Sequence, residues 1–129
     1  MSRDITDRLR DVKENLERVI RLTKNLDQSA FESDEAIYYA VIYSLGIAGE
    51  AVKSIPDDVR AKAPDVDWKA IARLRDLLFH VYFGISNDVI WQIVTVSVPQ
   101  TLVEVDRLTV LEEEGPGDRP QQPQRSNPC

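Results

Sequence analysis

Apolar residues near the start of the chain recur at steps of four and three: Ile5, Leu9, Val12, Leu16, Val19, Leu22 and Leu26. That period predicts an amphipathic helix over residues 3–27, with one apolar stripe and charges on its other faces. The stripe suits a seam within a helical bundle better than a seam between subunits. Residues 28–33 are polar and read as a connection. Ser33 or Asp34 then offers an N-cap, with Glu35 favourable at the positive end, for a second helix over residues 34–54. Its middle, from Ala36 through Val41 and Leu45 to Ala48, is apolar on almost every side. Such a helix lies at the centre of a fold or in a subunit interface. Gly46 and Gly49 each cost it about 1 kcal/mol of propensity relative to alanine. The benefit expected in return is close backbone approach by a neighbouring helix.

Pro56 ends that helix, residues 57–63 read as a short helical turn, and Pro64 interrupts again. Asp67 is placed to cap a helix that starts at Trp68, carries Ile71, Leu74 and Leu78, and ends near Tyr82 to Gly84. Ser86 or Asn87 caps the last helix, from about Asp88, with Pro99 inside it as an expected kink. The β-branched run 93–98 has no second strand to pair with, so it too reads as helix. From Glu112 onward nothing apolar can pack, and four of the chain's seven prolines fall here. The pattern predicts an all-α, up-and-down bundle of four to five helices over residues 1–111. A disordered Pro/Gln-rich tail is expected over 112–129.

At 129 residues the chain fits one domain with a real core. Its formal net charge of -6 argues against non-specific coating of nucleic acid, which needs a basic face to release counterions. A small local cationic pocket stays compatible with that charge. The single cysteine, Cys129, cannot close an internal disulfide, which suits a reducing compartment. The N-terminus is charged and lacks the apolar core of a signal peptide. The longest apolar stretch, 36–48, is shorter than the ~20 residues a membrane span needs. The expectation is a cytoplasmic protein with no membrane partner.

Candidate chemistry concentrates in residues 73–84. His80 is the only histidine, and its ordinary pKa near 6.5 lets it give or take a proton at neutral pH. Arg75 is permanently charged and forked, which suits a phosphate. Asp76, four residues before His80, is placed to hydrogen-bond it across one turn. Arg75 and His80 point roughly 140° apart on a regular helix. They converge only if the helix end unwinds or the site is shared by two chains. Blander roles exist for each residue. A histidine near a helix C-terminus complements the dipole. Arg75 could be a solvated ion-pair partner of Asp76 or Asp106, and Tyr82 a core aromatic. One histidine without a cysteine pair gives no strong metal motif, although Glu50 with Asp76 is a carboxylate pair of the kind that helical surfaces carry in number. Ser44 and Ser97 have no triad context, and no phosphate-binding glycine loop occurs.

The spacing Arg75-x4-His80-x-Tyr82 resembles the R-x(4–6)-H signature of HEPN domains, in the narrower form found in HepT toxins. Residues 46–51, centred on Gly49-Glu50-Ala51, are similar to a segment of that family's second helix. Pro64, Trp68 and Ile71, and later Val89-Ile90-Trp91, are similar to its flanking patterns. The resemblance covers residues 3–110. It departs at Asp76, where many members carry asparagine. The resemblance implies a homodimeric helical bundle in which both R-x4-H motifs face one cleft. It implies a type II toxin, a metal-independent endoribonuclease without cofactor that acts on RNA, transfer or messenger, rather than on DNA. Arg75 and His80 are then catalytic, Asp76 supports them, and Tyr82 is the residue to which a partner MNT-type nucleotidyltransferase attaches AMP. The alternative it leaves is a non-catalytic, nucleotide- or RNA-binding partner of a nucleotidyltransferase.

Overall fold

A computed structural model describes residues 4–80 and 85–114, without the side chains of Phe79 and His80. Helix α1 spans Ile5–Thr23 and is capped by Asp4, whose carboxylate accepts the Asp7 N–H at 2.9 Å. That bond, with a second from the Thr6 hydroxyl, holds the Asp4 carboxyl below its usual range. The helix stops short of the expected residue 27. Asn25 has a φ of 70°, in the left-handed region that asparagine tolerates better than most residues, and the chain turns there.

The expected connection 28–33 is itself a helix, α2 (Gln28–Ser33), capped by Asp27 onto the Ala30 N–H. Six residues with one large apolar side chain show no period. Phe31 nevertheless anchors the turn, fully buried with its ring 5.3 Å from Tyr38 and 5.2 Å from Trp91. Helix α3 (Glu35–Lys53) follows directly, capped by Asp34. Short α4 (Asp57–Arg60) begins after Pro56, and α5 (Trp68–Arg73) is capped by Asp67 as anticipated. The Trp68 indole donates to the carbonyls of Arg60 and Ala63, both at 3.0 Å, and ties this corner together.

The helix expected to run unbroken from Trp68 is interrupted. A 3-10 turn at Leu74–Asp76 separates α5 from α6 (Leu77–His80). Its anticipated end at Tyr82 to Gly84 lies outside the described residues. Ser86 caps α7 (Asn87–Gln92), and a π turn at Ile93–Ser97 leads into α8 (Val98–Glu114). The three segments run on without a break, so Pro99 lies inside one continuous helical run over residues 87–114, as expected, directly after the π turn. A proline inside a helix removes one N–H from the ladder and crowds the preceding turn, and the wider π turn, with the Val98 N–H donating to the Ile93 carbonyl, falls directly before it. The β-branched run is helical, and the described residues contain no strand.

The core is built from α1, α3 and α8. Leu9, Val12, Leu16 and Val19 of α1 are fully buried, with Val41, Leu45, Ala48 and Val52 of α3 and Val105 and Leu108 of α8. Each such valine or leucine contributes about 1.5–3 kcal/mol by leaving water. No helix among the described residues is long and apolar enough to cross a membrane.

At its end, α8 runs past residue 111. Glu112 is 3% exposed and accepts a hydrogen bond from Lys62 Nζ at 2.9 Å, while Arg107 donates to the Lys62 carbonyl at 2.7 Å. Lys62→Met should lower stability by about 1 kcal/mol in a thermal melt, because it removes a charged hydrogen-bond donor from a buried carboxylate while the lysine itself is half in water. An unchanged melting temperature would remove that role.

Candidate functional site

Gly49 determines where Arg75 stands. A Cβ built on Gly49 would lie 2.6 Å from the Arg75 backbone nitrogen, 2.8 Å from the Ile71 carbonyl oxygen and 3.1 Å from that of Ala72. The α5 segment and the 3-10 turn thus rest on α3 backbone to backbone, at a separation only glycine permits. This is the close approach that the glycines of α3 forecast. At Gly46, one turn earlier, the atoms nearest to such a Cβ belong instead to the side chain of Leu78.

The next residue of α3 reaches up to the same arginine. Glu50 Oε1 accepts a hydrogen bond from Arg75 Nε at 2.7 Å. The Arg75 side chain is 35% exposed and that of Glu50 55%, so the contact sits at the surface. Such pairs contribute only about 0.2–1 kcal/mol to folding. The consequence of this one is directional: a planar guanidinium is held by a carboxylate from a rigid helix. Asp76 Oδ1 lies 3.9 Å from Arg75 Nη1, too far for a hydrogen bond. Lys53 Nζ is 4.0 Å from the Glu50 oxygen that Arg75 holds. A groove of about 390 Å³, lined by Asp11, Ile47, Glu50, Ala51, Lys53 and Ser54, adjoins the pair.

The sequence-derived candidates fare differently. Arg75 and Asp76 are adjacent on the 3-10 turn. Asp106, weighed as a partner for Arg75, is instead 3.2 Å from Lys13. His80 is the last residue of α6, and both its side chain and the anticipated Asp76 contact lie outside the described residues, as does Tyr82. An over-wound 3-10 turn advances about 120° per residue against 100° in an α-helix, so it brings two positions five apart no closer to one face. Glu50 was legible as half of a carboxylate pair and as part of the family-like segment 46–51, with no role attached to it in either place. The signal that could have assigned it was its place directly after a glycine committed to helix contact. Among the described residues no group of three or more His, Cys, Asp or Glu side chains is placed to hold a metal ion.

Comparison with known proteins agrees with the family resemblance. The family model described as Ribonuclease HepT-like matches residues 12–108. The chain is 42% identical over 106 residues to "Putative RNase MJ0127" of Methanocaldococcus jannaschii, covering 82% of this chain and 88% of that protein. It is 35% identical over 108 residues to "Probable ribonuclease HepT" of Thermococcus cleftensis, covering 84% and 98%. It is 33% identical over 105 residues to "Putative RNase TTE0752" of Caldanaerobacter subterraneus, covering 81% and 94%. No solved structure matches significantly. With a family match across most of its helical region and relatives aligned over nearly their full length, the chain belongs to the Ribonuclease HepT-like family.

Proposed function

We propose that the chain is a metal-independent endoribonuclease, the toxin of a type II toxin–antitoxin pair, with Arg75 and His80 as its catalytic groups. The observation that carries this reading is the seating of Arg75. Its backbone rests on Gly49 and its guanidinium is held by Glu50, five residues before the only histidine. The names of the relatives support RNA as substrate.

The reaction needs no group beyond the chain and RNA. A ribose 2′-oxygen attacks the adjacent phosphorus while its proton passes to a base. The bond from phosphorus to the 5′-oxygen breaks, and that oxygen takes up a proton. The products are a 2′,3′-cyclic phosphate and a free 5′-hydroxyl. His80 serves as base or acid, and Arg75 stabilises the charge that builds on the phosphoryl oxygens. Because the register does not bring positions 75 and 80 to one face, the reading assigns the site to two copies of the chain meeting at a twofold axis. The direct test is cleavage of single-stranded RNA in excess EDTA with analysis of the product ends. Cleavage that stops in EDTA, or a linear 3′-phosphate formed without a cyclic precursor, would overturn the mechanism. Sedimentation should give a dimer under the assay conditions.

In this reading, silencing comes from an MNT-type nucleotidyltransferase that adds AMP to Tyr82, two residues from His80. An anionic adduct there would occupy the phosphate site by charge and bulk. Intact-mass measurement after incubation with the partner and ATP should show added AMP in the parent and none in Tyr82→Phe. The carboxylates of Glu50 and Asp76, both close to Arg75, favour one second reading: a non-catalytic nucleotide- or RNA-binding partner of the transferase. Its expected result is RNA binding without cleavage in the same assay.

A further inference from the structure

We propose that Glu50 is a positioning residue of the ribonucleolytic site, acting through Arg75. The inference rests on the ribonuclease reading above and goes beyond the R-x4-H pair to a residue 25 positions earlier on another helix.

Three observations converge. The contact is short, 2.7 Å from Nε to Oε1, in the range of charge-assisted hydrogen bonds. It joins two different elements, α3 and the 3-10 turn, so it sets the arginine against the core rather than within its own turn. The backbones beneath it are already in contact at Gly49, so little slack remains between the two side chains. An exposed ion pair of this kind adds little to stability. What it supplies is a fixed orientation for an otherwise flexible side chain that must meet a phosphoryl group at the moment of reaction. Angstrom-scale misplacement of such a group costs orders of magnitude in rate. Asp76 does not fill this role, since its carboxylate stands 3.9 Å from Nη1.

Removing the carboxylate should therefore act on turnover rather than on substrate binding. Glu50→Ala is expected to lower kcat by roughly 10–30-fold with KM within about threefold of the parent, as for loss of orientation alone. Glu50→Gln, isosteric and still an acceptor, should fall between Glu50→Ala and the parent; it also keeps the test open if Glu50→Ala folds poorly. In an Arg75→Ala background, Glu50→Ala should cause no further loss, since the effect passes through the arginine. NMR gives a readout independent of activity. The Arg75 Nε–H resonance should exchange slowly with water in the parent and fast in Glu50→Ala. A Glu50→Ala enzyme with parental kcat, or one that loses as much again in the Arg75→Ala background, would overturn the proposal. A parent protein that cleaves no RNA would instead remove the ribonuclease reading beneath it, and the NMR result would then report only a structural contact.

Discussion

Arg75→Ala and His80→Ala are each expected to lose at least about 10²-fold of RNA-cleaving activity. Removing a single donor that stabilises transition-state charge costs about 10²–10³-fold, and removing a general acid or base about 10²–10⁴-fold. The expected loss is large because the rest of the chain has little electrostatic substitute: its net charge is -6, and it must rely on a few placed groups to hold an anion. For Arg75 the stability cost should be small. Its contact with Glu50 is partly exposed, and a loss under about 1 kcal/mol moves the melting temperature by only a few degrees. Activity and melting are therefore expected to separate in Arg75→Ala. Both variants retaining parental cleavage would dismiss the catalytic assignment. A collapsed melting temperature with normal cleavage in His80→Ala would give the histidine a structural role instead.

Gly49→Ala should destabilise the protein and disturb its site with a single methyl group. In an ordinary helix interior this exchange stabilises by up to about 1 kcal/mol. Here the added carbon would fall 2.6 Å from one backbone nitrogen and 2.8 Å from a carbonyl oxygen, and neither atom can rotate away. Overpacking of this kind costs about 1–3 kcal/mol. The net effect should be a melting temperature several degrees lower, the opposite sign to propensity. Activity should fall further than stability, because the displaced nitrogen is that of Arg75 itself. Gly46→Ala is the comparison: the atoms nearest its new carbon also stand too close, but they belong to the Leu78 side chain, and a side chain can turn away where a backbone cannot, so the loss should be smaller. A Gly49→Ala protein as stable as the parent would mean that the two segments can separate without cost.

Much of this architecture was legible in the sequence. The stripe of α1 predicted the centre of its buried face, Leu9, Val12, Leu16 and Val19, while Ile5 and Leu22 at its ends are only partly buried and the polar Asn15 and Thr23 join the buried side unannounced. Asp34 and Asp67 announced the starts of their helices through their capping chemistry. The glycines of α3 forecast a close contact, and the contact exists. Other features were not legible, for physical reasons. Helix α2 is too short to show a period, and one buried phenylalanine holds it. The 3-10 turn at Leu74–Asp76 carries no proline or glycine to mark it, and it coincides with tertiary contact on Gly49. Pro99 did signal a disturbance in the last helix, but not that it would take the form of a π turn over Ile93–Ser97. At the site, Arg75 was found from its neighbour five residues on. Its actual partner, Glu50, lies 25 residues earlier, and only the fold brings them together.

The Lys62–Glu112 clasp decides where the polypeptide can be shortened or extended. A truncation after residue 111 would discard the acidic half of the clasp and release the final turn from the corner it locks. One ending after Glu114 would keep that anchorage, so a purification handle or fused partner belongs downstream of it.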